Sequence, residues 1–167
     1  MPAQQLIIAD SSPLIALGIV ECFDVFPKVA DRVWIPETVK SECLVKSDAP
    51  GAAAISKAIA RKLIQVQPDA PETDPTITLL GQCLDKGEAQ AICLAKQHSG
   101  LLLIDEKAGR KVAQQMGISI TGSLAMLLKA KQKGLLTDIK PAINTLRSYG
   151  YRYSNALVDR VVAISGE

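Results

Sequence analysis

The sequence predicts an α/β fold, with a mostly parallel central sheet carrying helices on both faces. Short apolar runs alternate along the chain with longer segments of helical period, which is the signature of strand–helix units. Two of those runs, Leu6–Ala9 and Leu101–Ile104, are continuously apolar, as strands covered on both faces require. The length, 167 residues, suits one domain. We therefore expect a single domain over 1–167, with a core of about 5–147 and a helical extension over about 148–167.

Leu6–Ala9 is a short β-prone run stopped by Asp10. Ser11-Ser12-Pro13 then reads as an N-cap and an N1 proline, opening a helix through Leu14, Ile15, Leu17 and Gly18. Arg32–Ile35 is a second strand closed by Pro36, and Pro36-Glu37-Thr38 starts a helix running through Val39 and Cys43. Gly51–Leu63 is alanine-rich and helical. Gln67–Asp74, with Pro68 and Pro71 inside it and Pro75 just after, reads as an irregular surface loop. Helices are expected over Thr76–Leu84 and Gly87–Gln97, the second buried along Ala91, Ile92, Leu94 and Ala95 and broken by Gly100. Leu101–Ile104 is a strand ending at Asp105, followed by a helix over Glu106–Met116, a strand over Ile118–Ile120 and a helix over Ser123–Lys133. Helices near Asp138–Ser148 and Asn155–Ile164 complete the chain, and no internal repeat is present.

Composition excludes several classes. With 48% hydrophobic and 22% charged residues the chain is not disordered or of low complexity. No apolar run approaches the roughly 20 residues that cross a bilayer, and no Lys or Arg precedes the first apolar stretch, so neither a membrane span nor a signal peptide is expected. A cytoplasmic protein is the working expectation. Cys22, Cys43, Cys83 and Cys93 form no C-x-x-C pair, and the single histidine, His98, has no ligand partner at metal spacing, which argues against zinc. The net charge of +2 hides an asymmetry: residues 1–100 balance to −3 and residues 101–150 to +5. Carboxylates working on a phosphate backbone held by basic side chains would have that layout.

Two strands end in aspartate, Asp10 and Asp105, where an open parallel sheet binds its ligands. Either could instead cap the helix that follows, although Ser11 and Ser12 already offer capping hydroxyls beside Asp10. Glu42 flanks the buried stripe of its helix near Thr38 and Val39, and Glu88 opens the helix before the Asp105 strand, with Asp85 in the same turn. If Asp10, Glu42, Glu88 and Asp105 converge, repulsion forces a cation among them: two carboxylates about 4 Å apart repel by about 4 kcal/mol at an effective dielectric near 20. An all-oxygen set favours Mg²⁺ or Mn²⁺, whose natural chemistry is phosphodiester hydrolysis by one or two metals. Arg110, Lys107 and Lys111 follow Asp105 on one helix and are the best-placed groups to hold the substrate strand.

Five segments then occur in a recognisable order: Asp10-Ser11-Ser12-Pro13-Leu14-Ile15; Ile35-Pro36-Glu37-Thr38-Val39 with Glu42; Gly87-Glu88-Ala89-Gln90-Ala91-Ile92; Leu103-Ile104-Asp105-Glu106 with Arg110-Lys111-Val112-Ala113; and Thr121-Gly122-Ser123-Leu124. The series resembles the PIN-domain nucleases, and within them a subgroup similar to the VapC toxins of toxin–antitoxin pairs. The resemblance implies a metal-dependent endoribonuclease with Asp10, Glu42, Glu88 and Asp105 at the catalytic, metal-binding positions. Ser11, Thr121 and Ser123 fall beside those ligands as supporting neighbours. It also implies an RNA substrate, a homodimer and an antitoxin covering the site. Glu106 departs from the pattern by standing where the subgroup often has a second aspartate.

Three rival readings remain. A nucleotide-binding module finds no G-x-G-x-x-G or G-x-x-x-x-G-K-[ST] motif. A phosphotransfer enzyme with Asp10 as nucleophile would resemble the haloacid dehalogenases, but Ser12 stands where they carry a second aspartate. A non-catalytic binding protein is the third. Tyr149, Tyr151 and Tyr153 read as packing or interface residues, with base stacking as the alternative.

Overall fold

The computed structural model describes residues 5–167. Its sheet has five strands, all parallel: β1 (Leu6–Ala9), β2 (Arg32–Pro36), β3 (Gln65–Gln67), β4 (Leu101–Leu103) and β5 (Ile120–Thr121), in the order β3-β2-β1-β4-β5. The chain builds outward from β1 to β3, then crosses to the other side of β1 to lay down β4 and β5. The strand order therefore reverses between β1 and β4, and there the connections leave the sheet in opposite directions and open a crevice.

Ten α-helices surround the sheet among the described residues: α1 (Ser11–Ile19), α2 (Phe26–Val29), α3 (Glu37–Leu44), α4 (Ala52–Ala60), α5 (Pro75–Leu80), α6 (Lys86–His98), α7 (Lys107–Gln115), α8 (Ser123–Gln132), α9 (Lys140–Ser148) and α10 (Asn155–Ser165). The two-residue period of β1 splits the core. Ile7 and Ala9 join Val33, Ile35 and Leu103 under α1, α4, α8 and α9, whereas Leu6 and Ile8 join Leu102 and Ile104 under α6 and α7. Helices thus cover both faces, as expected. None of the described helices is long and apolar enough to cross a membrane.

The differences from expectation have local causes. The polar Gln65-Val66-Gln67, followed by Pro68, forms the edge strand β3, where one neighbour suffices and little apolar surface is needed. The segment after it is irregular but pinned: the buried Gln90 amide accepts from the Ala70 N–H at 2.8 Å and donates to the Ala70 carbonyl at 2.9 Å. Residues 23–29, unassigned from sequence, form a 3-10 turn (Phe23–Val25) running into α2. The helix expected over Thr76–Leu84 is shorter, Pro75–Leu80, with Asp74 capping it, and the last strand shifts to Ile120–Thr121. At α1 the N-cap is Asp10 itself, in extended conformation, with Ser11 already helical and Pro13 in the first turn.

α1, which carries the start of the crevice, is seated against the start of α4 by two glycines. A Cβ on Gly18 would lie 2.9 Å from the Gly51 carbonyl oxygen, and Gly51 itself has φ +81°. Gly18→Ala should therefore force the backbones apart and destabilise the fold by roughly 1–3 kcal/mol, read as a lower midpoint in urea denaturation. An unchanged midpoint would contradict the close crossing.

Candidate functional site

Every acid singled out in the sequence lies at the carboxyl edge of the sheet. Asp10 follows β1 directly, its N–H donating to the Leu103 carbonyl of β4 at 3.0 Å, so that sheet pairing fixes its backbone at the crevice. Its side chain is 3% exposed, makes no capping bond to α1, and leaves Oδ1 buried without any hydrogen-bond partner. Buried carboxylate oxygens are nearly always satisfied, so an orphan of this kind marks either a strain reservoir or a ligand position. Burial, reinforced by the charges of Glu88, Asp85 and Glu42, pushes the Asp10 carboxyl up to about 7, although a hydrogen bond from the Ser11 backbone opposes the rise.

Glu88 stands at the third position of α6 and shares a capping box with Asp85. The Asp85 side chain accepts from the Glu88 N–H at 2.8 Å, and the Glu88 carboxylate accepts from the Asp85 N–H at 3.2 Å. Glu88 is 7% exposed, and its carboxyl is raised first by desolvation and then by Asp85, Glu106 and Glu42, against the lowering effect of the Asp85 backbone. Glu42 reaches the same place from α3: its carboxylate accepts from the Ser11 hydroxyl and lies against Gly87 of α6. A Cβ at Gly87 would sit 2.7 Å from Glu42 Oε1 and 2.9 Å from its Cδ, so only glycine leaves room for this carboxylate. Asp10, Glu42 and Glu88 thus come together from three elements.

Asp105 follows β4 on the same edge and is engaged with Ser123. Rather than capping α7, whose N-cap is Glu106, it caps α8: Oδ1 accepts from the Ser123 N–H at 2.8 Å and Oδ2 from the Ser123 hydroxyl at 2.7 Å. The Ser123 Oγ spends its one proton on Asp105, so the Tyr153 hydroxyl, 3.0 Å away, donates to Ser123. Tyr151 donates to the Ser12 carbonyl at 2.7 Å. Gly122 makes room at this corner, since a Cβ there would meet Asp105 Oδ1 at 3.0 Å and Arg110 Nη1 at 3.1 Å. Arg110 donates to the Ile104 carbonyl at 2.8 Å.

Of the supporting neighbours, Ser11 touches Glu42 and Ser123 touches Asp105, whereas Thr121 contributes its carbonyl to the Ile104 N–H at 2.9 Å. Lys107 and Arg110 line a cleft beside Asp105; Lys111 is exposed on α7 outside that lining. Among the described residues no three His, Cys, Asp or Glu side chains are arranged to hold a metal ion as they stand; Glu42 and Asp105 each accept from a serine hydroxyl. The orphaned Asp10 oxygen and the crowd of negative charge around it nevertheless fit a hard cation. The sequence named Asp85 and the tyrosines without giving them a part in the site: Asp85 caps Glu88, Tyr151 and Tyr153 anchor to Ser12 and Ser123, and Gly87 and Gly122, seen only as motif positions, leave room for carboxylates. The one available signal was that all three tyrosines of the chain fall within five residues.

Two outcomes follow from this geometry. Gly87→Ala places a methyl where the Glu42 carboxylate lies, yet at a helical position where alanine is favoured by about 1 kcal/mol; the variant should keep or gain stability while losing divalent-cation affinity. Cation affinity equal to that of the parent would show that Glu42 takes no part. Because folding raises the Asp10 carboxyl from 3.8 to about 7, the folded chain binds the extra proton, and the stability from this group is full at low pH and lost as pH rises through 7. In EDTA, the stability advantage of Asp10→Asn over the parent should be absent near pH 4 and grow to a few kcal/mol by pH 8, at about 1.4 kcal/mol per unit. A difference independent of pH would contradict a buried, crowded carboxylate.

A family model, DUF3368, described as a PIN domain, matches residues 6–167. No curated protein matches the sequence. Among solved structures, a PilT N-terminus domain protein from the hyperthermophilic archaeon Sulfolobus solfataricus P2 is similar, with a TM-score of 0.51 and 15% identity over 73% of this chain and 90% of that one. A domain of a functionally unknown protein from Methanocaldococcus jannaschii gives a TM-score of 0.48 and 18% identity over 71% of this chain and 90% of that one. At such identities the Sulfolobus likeness speaks for the fold alone. The family model spans nearly the whole sequence, and by it the chain belongs to the PIN-domain family.

Proposed function

We propose that the protein is a divalent-cation-dependent endoribonuclease and the toxin of a toxin–antitoxin pair. The observation that carries the catalytic part is Asp10: a buried carboxylate at the switch point of the sheet, with one oxygen unpartnered and three further acids raising its proton affinity. Asp10, Glu42 and Glu88 would hold Mg²⁺ or Mn²⁺, with Asp105 presented beside them. Bound there, the cation supplies an activated water and offsets the charge that builds on the phosphodiester.

The chain's own groups do the rest. Ser11 orients Glu42 through its hydroxyl, and the Asp85–Glu88 capping box fixes Glu88 on the first turn of α6. Ser123 and Tyr153 hold Asp105 so that it cannot swing into the crevice without giving up two hydrogen bonds. Lys107 and Arg110, next to Asp105, bind the phosphates flanking the scissile bond; Lys111, further round α7, meets the strand outside the cleft. Membership in the PIN family, whose domains are typically metal-dependent nucleases, supports the reaction class, and the resemblance to the VapC subgroup supports the toxin role, the homodimer and a protein antitoxin.

With Mn²⁺ or Mg²⁺ the purified protein should cleave RNA, and EDTA should stop it. Asp10→Asn should reduce cleavage by at least about a hundredfold while the protein stays folded, since a ligand charge is lost with almost no change in volume. Cleavage by the variant at the parental rate would remove Asp10 from the mechanism. Growth arrest on expression, absent for Asp10→Asn, is the expected outcome for a toxin; harmless expression of active enzyme would refute that part of the reading.

A further inference from the structure

A cleft of about 860 Å³ opens beside Asp105 and lies largely outside the acid cluster. One end is lined by Asp105, Glu106, Lys107 and Arg110, the base by Leu124 and Leu128 of α8, and the sides by α10 and the segment from Tyr149 to Ser154. We propose that this cleft receives a base of single-stranded RNA next to the scissile bond, stacked on Tyr149, with the adjoining phosphate held by Arg152. The proposal rests on the nuclease reading above and adds to it the residues that grip the strand.

The aromatic wall is built in advance. Gly150, with φ +94°, ends α9 in a left-handed turn and throws the chain back across the cleft. Beyond the turn, Tyr151 and Tyr153 are tied down by their hydroxyls to Ser12 and Ser123, and their rings lie 21° from parallel with centroids 6.3 Å apart. Tyr149 has no such tether and is 54% exposed, one of three large apolar side chains displayed along the cleft, with Leu157 and Ile164. An untethered aromatic ring at the mouth of an apolar cleft is a stacking surface, and any base can use it.

Charge selects the class of ligand. Lys107 and Arg152 are exposed at the rim and form no ion pair among the described residues, and Arg110 bonds only a backbone carbonyl. A nucleotide combines a flat apolar face with an anionic phosphate in one unit, which is the pairing that the rim and wall offer. The cleft is continuous with Asp105, so a strand whose phosphate lies at the acids delivers its neighbouring base into it.

The test uses the full chain carrying Asp10→Asn, so that RNA is bound without being cut, and follows the anisotropy of a fluorescent single-stranded oligoribonucleotide across a salt series. Adding Tyr149→Ala should weaken binding at least about fivefold, and Tyr149→Phe should restore it, because stacking needs the ring and not the hydroxyl. Adding Arg152→Gln should reduce the slope of log affinity against log salt by about 0.7, the loss of one single-strand phosphate contact. Affinity and salt slope unchanged in both variants, while the parental chain cleaves RNA, would overturn the cleft proposal and leave the nuclease reading standing. Failure of the parental chain to bind or cut any RNA would overturn both. Binding of a polypeptide that Tyr149→Ala abolishes, with RNA affinity untouched, would reassign the cleft to a protein partner and overturn it also.

Discussion

Carboxylates that must share a poorly solvated corner repel one another, and here that repulsion converges on Asp10. Sheet pairing with β4 fixes its backbone, burial removes the water that would stabilise its charge, and Glu88, Asp85 and Glu42 press upon it from α6 and α3. A fold tolerates such an arrangement only as a proton-binding or cation-binding site, because an ionised and unpaired buried carboxylate is among the most costly groups a protein can hold. The surrounding structure serves to keep the acids close in spite of that cost.

It does so with small groups and hydroxyls rather than with compensating cations. Gly87 leaves space for the Glu42 carboxylate, Gly122 for Asp105 and Arg110, and Ser11 and Ser123 each donate to one acid. No Lys or Arg forms an ion pair with any of the four acids among the described residues; Arg110 on α7 spends its hydrogen bond on the Ile104 carbonyl. A basic partner inside the cluster would satisfy Asp10 permanently and leave no role for a metal. Lys107 and Arg110 of the basic 101–150 segment line the neighbouring cleft instead, where they can meet a phosphate backbone without neutralising the acids.

Much of this was legible in the sequence because the fold uses its strongest local signals near the site. The apolar runs ending at Asp10 and Asp105 are buried parallel strands, and nothing else accounts for their composition. The edge strand β3 was not legible, since Gln65-Val66-Gln67 has too little apolar character to stand out from a loop. Asp105 was legible as a strand-end acid, but its attachment to the start of α8, eighteen residues away, depends on β5 lying beside β4, which local periodicity does not encode. The same holds for Tyr151 and Tyr153: their spacing is visible, but their anchoring to Ser12 and Ser123 is a product of tertiary packing across the chain. Gly87 illustrates the opposite limit, a residue whose importance lies in the atoms it lacks.

A crystal soaked in Mn²⁺ and recorded at a wavelength where manganese scatters anomalously shows whether the unpartnered Oδ1 of Asp10 is a cation ligand. An anomalous peak is expected within coordination distance of Asp10 Oδ1, with Glu42 and Glu88 turned towards it. A crystal in which manganese is absent from that crevice and Asp10 Oδ1 stays unpartnered would rule this out.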